Sequence, residues 1–161
     1  MTILGIDPGS RRIGYGVVNM DGGSARYVTA GLLRIAATDD IAALGETKRE
    51  IDRIITEHRP AFMVVEKLFF SKNQKTAMAV AQARGVILLA AKESGLPIRE
   101  YTPNEVKMGI TGYGLADKKS ILKMVRLILG EPDLKVIDDA SDALALAIFG
   151  GGDRATLHGG Q

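Results

Sequence analysis

Two short apolar runs in this chain each end in a single acidic residue, and they constrain the fold more than any other feature. Residues 3–7 (ILGID) end in Asp7, and residues 62–66 (FMVVE) end in Glu66. Continuous apolar runs of this length, rich in β-branched residues, are typical of strands buried within a sheet. A carboxylate that follows such a strand lies at the rim of the sheet, where ligands bind in α/β proteins. The chain is therefore expected to fold around a covered sheet with acidic residues at its rim.

The periodicity of the rest of the chain predicts an α/β protein whose mixed five-stranded sheet has helices on both faces. Three strands come first as a meander, with turn signals at residues 8–12 and 21–23. Gly14 and Gly16 alternate with larger residues in the second strand, which allows another backbone or a ligand to approach closely. The predicted strands are residues 3–6, 13–19, 25–35, 61–66 and 97–101, and the predicted helices are residues 40–58, 74–93, a short helix from Pro103, 117–129 and 140–149.

Length and composition exclude several classes of protein. A chain of 161 residues fits one domain, which we place at residues 1–150, and residues 150–152 are all glycine and are expected to release a flexible tail at 151–161. The absence of cysteine excludes disulfides and thiolate metal sites. No apolar stretch reaches the length of a membrane span, and the first residues lack the pattern of an export signal. We expect a cytoplasmic protein with no membrane partner.

Two further acidic residues, Asp139 and Asp142, open the last predicted helix. They are three positions apart, so both side chains project from one face of that helix. Together with Asp7 and Glu66 they form a set of hard oxygen ligands that suits Mg²⁺ or Mn²⁺. Each carboxylate taken alone is equally consistent with a helix cap or a strand-end charge, but the combination favours a metal site.

Basic residues are concentrated in the middle of the chain. Residues 61–126 contain 11 Lys and Arg against 5 Asp and Glu, whereas residues 127–161 contain 2 against 6. Such a run is often only a solvated face. Beside an acidic metal cluster it also fits a surface that binds phosphates, and the two features together indicate a nuclease.

Five sequence blocks resemble the RuvC family of Holliday-junction resolvases. They are residues 5–16 (GIDPGS followed by GYG), 66–73 (EKLFFSKN), 82–86 (QARGV), 101–107 (YTPNEVK) and 139–145 (DASDALA). The first block alone also resembles the phosphate-binding hairpin of actin-like ATPases and sugar kinases. All five occur in family order and at family spacing over residues 2–150. The resemblance implies a ribonuclease-H-like fold and a metal-dependent endonuclease that resolves four-way DNA junctions.

The chemistry of phosphodiester hydrolysis suggests a role for each carboxylate. Two divalent ions about 3.5–4 Å apart can activate a water, neutralise the scissile phosphate and stabilise the leaving oxygen. We expect Asp7, in the central strand, to be the shared ligand, with Glu66 on one ion and with Asp139 and Asp142 on the other. Asp138 lies about 100° around the helix from Asp139 and is expected to cap the helix outside the metal site.

The resemblance also implies roles for basic and aromatic residues. Lys118 and Lys107 match the lysines that act near the scissile phosphate, and Phe69 matches a residue that stacks on an unpaired base at the crossover. Phe69 and Phe70 would alternatively pack beneath the following helix, and Lys119 would alternatively belong to a solvated helix face. Further candidates for contacts with the DNA backbone are Arg11, Arg12, Lys72, Lys75 and Lys119.

Symmetric nicks on two opposing strands require two active sites, so one site per chain implies a two-fold homodimer. The predicted helix 74–93, with its many small residues, is a candidate interface, although the same residues would serve as ordinary core. The RuvA–RuvB branch-migration complex is a partner implied by the resemblance alone. Three alternatives stay open: another ribonuclease-H-like nuclease, an actin-like or kinase-type nucleotide-binding domain, and a junction-binding protein without catalysis.

Overall fold

Ten elements of secondary structure make up the computed structural model, which describes residues 1–67 and 74–153, with the side chains of residues 74 and 75 left aside. In chain order they are β1 (Thr2–Asp7), β2 (Arg12–Asp21), β3 (Ser24–Arg34), α1 (Asp40–His58), β4 (Phe62–Glu66), α2 (Gln74–Glu93), β5 (Ile98–Tyr101), α3 (Pro103–Thr111), α4 (Lys118–Leu129) and α5 (Asp138–Gly152). All five strands and five helices expected from the sequence are present.

The five strands form one mixed sheet in the order β3-β2-β1-β4-β5, with β1 at its centre. β1 pairs with β2 and β2 with β3 in antiparallel fashion, which is the predicted meander. β1 and β4 are parallel, and Ile6 lies opposite Val65. Because Asp7 and Glu66 each follow these paired residues, both carboxylates lie at the same edge of the sheet.

Helices cover both faces, as the apolar strands predict. The side chains of β1 alternate between two core clusters: Ile3 packs on one face with α3, α4 and α5, whereas Leu4 and Ile6 pack on the other with α1 and α2. Ile3, Leu4 and Ile6 are completely buried. Burial on both sides explains why β1 and β4 contain almost no polar residue before their terminal carboxylates.

Helix α5 lies directly on the backbone of β1 and β2 because glycines face it. A Cβ atom on Gly5 would overlap the carbonyl oxygen of Ala143, and one on Gly16 would overlap the backbone of Leu144. The prediction that Gly14 and Gly16 allow close approach is confirmed, and the approaching backbone is that of α5. This contact fixes the height of the helix above the central strands.

The last helix is longer than the sequence pattern predicts. The pattern predicts residues 140–149, but α5 continues through all three glycines to Gly152. Gly150 and Gly151 are part of the core contact, since a Cβ on either would overlap Val64 or Ile3. Arg99 also donates to the carbonyl oxygens of Gly150 (2.7 Å) and Asp153 (3.1 Å). The glycines therefore pack in the core and do not begin a flexible tail at residue 151. The rest of the expected tail, residues 154–161, lies outside the described residues.

Across the part of the chain that the structure describes, none of the helices combines the length and apolar character needed to cross a membrane.

Candidate active site

The two strand-end carboxylates lie side by side at one edge of the sheet. Asp7 ends the central strand, opposite Gly14 of β2, and Glu66 ends the parallel neighbour β4. Both side chains are partly buried, because helix α5 passes over this edge. The strand pattern and the parallel pairing together place the first half of the predicted cluster.

The N-terminal end of α5 supplies the second half. Asp139 and Asp142 retain 28% and 26% of their side-chain exposure, and Gly14 lets the backbone of Asp139 rest on β2. The expected cap role of Asp138 is wrong. Ile137 occupies the N-cap position with extended backbone and no side-chain hydrogen bond, so Asp138 is the first helical residue, 70% exposed.

Asp7 lies in a strongly negative environment. Burial, followed by the charges of Glu66, Asp142 and Asp139 in that order, raises the pKa of its carboxyl group to about 8, and the charge of Lys118 offsets part of this rise. Burial is also the largest cause of the raised pKa values of Glu66 and Asp142. The other three carboxylates therefore lie close enough to disfavour the ionisation of Asp7, which is the condition that a bound cation relieves.

Two lysines face this negative cluster. Lys118 Nζ lies 3.6 Å from carboxylate oxygens of both Asp138 and Asp142, and its side chain is 61% exposed. The charge of Lys107 offsets part of the rise in the pKa of Glu66 that burial and Asp142 cause. With Glu66 and Asp142, both lysines line an open pocket of ≈ 370 Å³ between α3, α4 and α5. We call it the catalytic pocket.

The helices that carry these lysines have well-formed N-termini. Thr102 Oγ1 accepts a hydrogen bond from the N–H of Glu105 at 3.1 Å, and the Glu105 carboxylate accepts one from the N–H of Thr102 at 2.7 Å. This capping box begins α3, which carries Lys107. Asp117 is the N-cap residue of α4, so Lys118 is the first residue of that helix.

Asp139 is engaged by an arginine. Arg12 donates from Nε (3.3 Å) and Nη2 (3.1 Å) to the same oxygen of Asp139. With Asp139 held by Arg12 and Asp142 by Lys118, no three acidic or histidine side chains within residues 1–67 and 74–153 converge closely enough to hold an ion as they are placed.

Arg84 is a site residue to which the sequence analysis gave no role. From α2 its Nε donates to the carbonyl oxygen of Glu66 at 3.1 Å, and its guanidinium also pairs with Glu100 of β5. Arg84 therefore fixes the end of β4, where Glu66 projects. Its place in the block at residues 82–86 was the available signal, but only the tertiary structure shows what it contacts.

The remaining predicted DNA contacts differ in their surroundings. Arg11 donates to the carbonyl oxygens of Ala37 and Thr38 and pairs with Asp40 at 2.6 Å, so its charge is satisfied within the protein. Lys119 is exposed at the start of α4. Phe69, Phe70 and Lys72, and the side chain of Lys75, lie outside the described residues.

Comparison with known proteins gives a consistent result along the chain. The family model described as crossover junction endodeoxyribonuclease RuvC matches residues 3–150. Proteins with that name from Fusobacterium nucleatum and Moorella thermoacetica are 44% and 46% identical to this chain. Each alignment covers 92% of this chain, and 78% and 89% of the relative respectively.

Solved structures agree with the sequence comparison. RuvC of Thermus thermophilus superimposes with a TM-score of 0.84 at 32% identity, covering 92% of both chains. The same protein in complex with a Holliday junction substrate gives a TM-score of 0.85 with the same identity and coverage. The yeast mitochondrial Holliday junction resolvase Ydc2, at 13% identity and a TM-score of 0.66, shares the fold.

Proposed function

The chain belongs to the RuvC family of crossover junction endodeoxyribonucleases, and on that premise we propose that it resolves four-way DNA junctions by paired, symmetric, metal-dependent nicks. The observation that carries the proposal is the environment of Asp7. Its carboxyl group lies near three other carboxylates, with Lys118 opposing their charge. Family membership leaves the actin-like alternative without support, and the four carboxylates argue against a binding protein that has no catalysis.

The donor set fits Mg²⁺ or Mn²⁺, because it consists of carboxylate oxygens in a partly dehydrated, negatively charged position. We propose two ions per site, with Asp7 shared, Glu66 on one side, and Asp139 and Asp142 on the other. When bound, the ions would supply an activated water and neutralise charge at the scissile phosphate. Asp139 must exchange its contact with Arg12 for this role, so Arg12 opposes metal binding at that carboxylate.

Lys118 and Lys107 would hold the scissile phosphate from the opposite wall of the catalytic pocket. A lysine ammonium is a compact charge suited to a non-bridging phosphate oxygen. Lys118 is exposed and has only 3.6 Å contacts to Asp138 and Asp142, so it can reach an entering phosphate without losing a short ion pair. Lys119, Arg11, Lys72 and Lys75 stay predictions as contacts with the duplex arms, and Arg11 would first have to leave Asp40.

Two active sites acting on opposing strands require a homodimer, and we propose α2 as part of its interface. One side of α2 packs on α1, and its residues Ile87 and Ala91 share a core cluster with Ile51 of that helix. The opposite side exposes Met78 (67%) and Leu89 (52%), with Gly85 between them at helical spacing. Leu89→Lys should convert a dimer to a monomer in analytical ultracentrifugation, and an unchanged sedimentation coefficient would exclude this interface.

Two further features rest on the family resemblance. Phe69 is proposed to stack on a splayed base at the crossover, and RuvA–RuvB is the proposed partner complex. The cytoplasmic location expected from the sequence also stays a proposal. A division into a nuclease domain at residues 1–150 and a short tail also remains a proposal, with α5 extending two residues beyond that boundary.

The test is cleavage of a synthetic four-way junction with each strand end-labelled in turn. The wild-type protein should nick two opposing strands at symmetric positions when Mg²⁺ is present, and should leave a linear duplex of the same sequence intact. Asp7→Asn should abolish nicking while junction binding, measured by gel shift, is kept or improved, because one negative charge near the phosphate is removed. Asp133→Asn, an exposed loop carboxylate, is the matched control. Normal nicking by Asp7→Asn would reject the proposed metal site.

A further inference from the structure

The segment that joins α3 to α4 exposes large apolar side chains beside the catalytic pocket. Tyr113 is 60% exposed and Leu115 is 75% exposed, and Met108 on the last turns of α3 is 54% exposed. Exposed apolar residues scattered singly need no explanation, but three on one short stretch form a patch. We call Met108, Tyr113 and Leu115 the apolar rim.

The backbone beneath the rim is held firmly. Gly112, with φ of 75°, ends α3 and donates to Met108, and the N–H of Ala116 donates to the carbonyl oxygen of Tyr113. Thr111 Oγ1 accepts from the N–H of Tyr113 at 3.1 Å, and its single proton can serve the carbonyl of Lys107 (2.8 Å) or of Tyr113 (3.0 Å). The aromatic ring is therefore displayed on an ordered backbone, which lowers the entropy cost of binding through it.

A second hollow, of ≈ 460 Å³, lies under this rim. Tyr113 and Leu115 line it together with Lys123. Ala116 and Asp117 line both this hollow and the catalytic pocket, so the two cavities are immediate neighbours. If a phosphate of a nucleic-acid strand lay in the catalytic pocket, a neighbouring nucleotide of that strand would lie over the second hollow.

The charges around the hollow fit a nucleic acid. Lys118 and Lys119 begin α4, and Lys123 follows one turn later. The acidic residue Asp117 precedes these lysines. Its carboxylate is engaged as the helix cap, where it accepts a hydrogen bond from the N–H of Ser120 at 2.8 Å. An aromatic ring bordered by lysines is the combination that binds unpaired nucleotides, through stacking on the base and attraction of the phosphate.

We infer that Tyr113 and Leu115 form a binding site for a nucleotide adjacent to the cleaved phosphodiester, with Tyr113 stacked on its base and Lys123 near its phosphate. The inference rests on the proposed function, because the catalytic pocket fixes which nucleotide is adjacent. Such a site influences which phosphodiester of a junction is cut, since bases differ in how readily they unstack and in how well they stack on an aromatic ring. Tyr113 is thus a positioning residue that selects the cleavage site.

The experiment compares Tyr113→Ala, Tyr113→Phe and Leu115→Ala with Leu127→Ala, an equally exposed residue of α4 outside both hollows (71% exposed). Junction affinity is measured by gel shift, and the cut positions are mapped under single-turnover conditions on junctions that differ only in the bases flanking the crossover. Tyr113→Ala should weaken junction binding by about 5- to 150-fold, the range for loss of one base–aromatic stack. It should also alter the relative rates among the junctions, whereas Tyr113→Phe and Leu127→Ala should stay within about twofold of wild type.

A second measurement locates the nucleotide. Junctions carrying 5-iododeoxyuridine at single positions are irradiated with the wild-type protein, and crosslinked peptides are identified by mass spectrometry. A crosslink at Tyr113 from a position next to the cut supports the inference. If Tyr113→Ala keeps wild-type affinity and relative rates, and no position crosslinks to Tyr113, the site does not bind DNA. In that case the proposed function is kept if the wild-type protein still cleaves junctions. If the wild-type protein cleaves no junction, the proposed function itself is wrong.

Discussion

Arg12 donates two hydrogen bonds to a single carboxylate oxygen of Asp139, across 127 positions of sequence. Arg12 begins β2 and Asp139 lies in the first turn of α5, so the pair joins the sheet to the helix that carries half of the acidic cluster. The guanidinium forms an ion pair with a carboxylate that the proposed metal site requires. Arg12 therefore ties α5 to β2, and at the proposed metal site it would compete with the cation for Asp139.

Removing Arg12 should increase affinity for the metal. In Arg12→Gln, Asp139 has no ion pair to break before it binds the cation. The substitution also removes a positive charge that repels the cation. An exposed ion pair of this kind contributes about 0.2–1 kcal/mol, so the affinity for Mn²⁺ should rise about 1.5- to 5-fold in calorimetric titration. Arg26→Gln, an exposed arginine of β3, should leave the affinity unchanged. Weaker binding by Arg12→Gln would show that Arg12 supports the site instead.

Loss of the proton from Asp7 should make the metal-free protein less stable as the pH rises. The pKa of Asp7 is about 8 in the folded protein against 3.8 as its ordinary value. Between these values the folded state holds a proton that the unfolded state has lost, so the stabilising contribution of Asp7 is complete below about pH 4 and is lost as the pH rises through about 8. Thermal unfolding in EDTA should therefore show a melting temperature that declines from pH 5 to pH 8.

The Asp7→Asn variant isolates this effect. It should be more stable than wild type at pH 8 without metal, and most of the advantage should vanish at pH 5. Glu66 and Asp142, whose pKa values are also raised, should account for a smaller decline that remains in the variant. Parallel curves for Asp7→Asn and wild type across this pH range would show that Asp7 ionises normally.

Gly14→Ala should disrupt the active site through packing alone. The added methyl group would overlap the carbonyl oxygen of Asp139, and backbone cannot rotate away as a side chain can. Overpacking of this kind costs about 1–3 kcal/mol, or more, and it should lift the first turn of α5 from β2. Denaturant unfolding and Mn²⁺ titration measure the two consequences.

The matched control for that change is Gly45→Ala in helix α1. Its Cβ would meet only the flexible end of Arg49 at 3.6 Å. Alanine is favoured over glycine within a helix by about 0.5–1 kcal/mol, so this variant should be slightly more stable than wild type and should bind metal normally. Equal stability of the two variants would contradict the close contact between β2 and α5.

Loss of the capping box should destabilise α3, which carries Lys107. Thr102→Ala removes the side chain that accepts from the N–H of Glu105, and such substitutions cost about 1 kcal/mol. For a domain of this size the melting temperature should fall by about 2–4 °C. Thr102→Ser keeps the hydroxyl group and should stay close to wild type, and an equal loss in both variants would assign the effect to the methyl group of Thr102.

The amino-acid sequence by itself determined the secondary structure and the location of the acidic residues at strand and helix ends. The apolar runs before Asp7 and Glu66 predicted buried strands, which the structure contains, and residues 74–93 form the predicted helix without any shift of its ends. These features follow from local periodicity, which each segment carries in its own residues. The choice of Asp139 and Asp142 as metal ligands came from the family blocks and stays a prediction.

Only the tertiary structure decided the contacts that join distant segments. Local rules end α5 at its glycines, yet Gly150 and Gly151 continue the helix because they pack against Val64 and Ile3. Local rules also make Asp138 a cap, whereas the backbone entering α5 gives that position to Ile137. The pairing of Arg12 with Asp139, and of Arg84 with the carbonyl of Glu66, depends on which elements meet in space. Such partners are set by the packing of whole layers, and no short stretch of sequence records them.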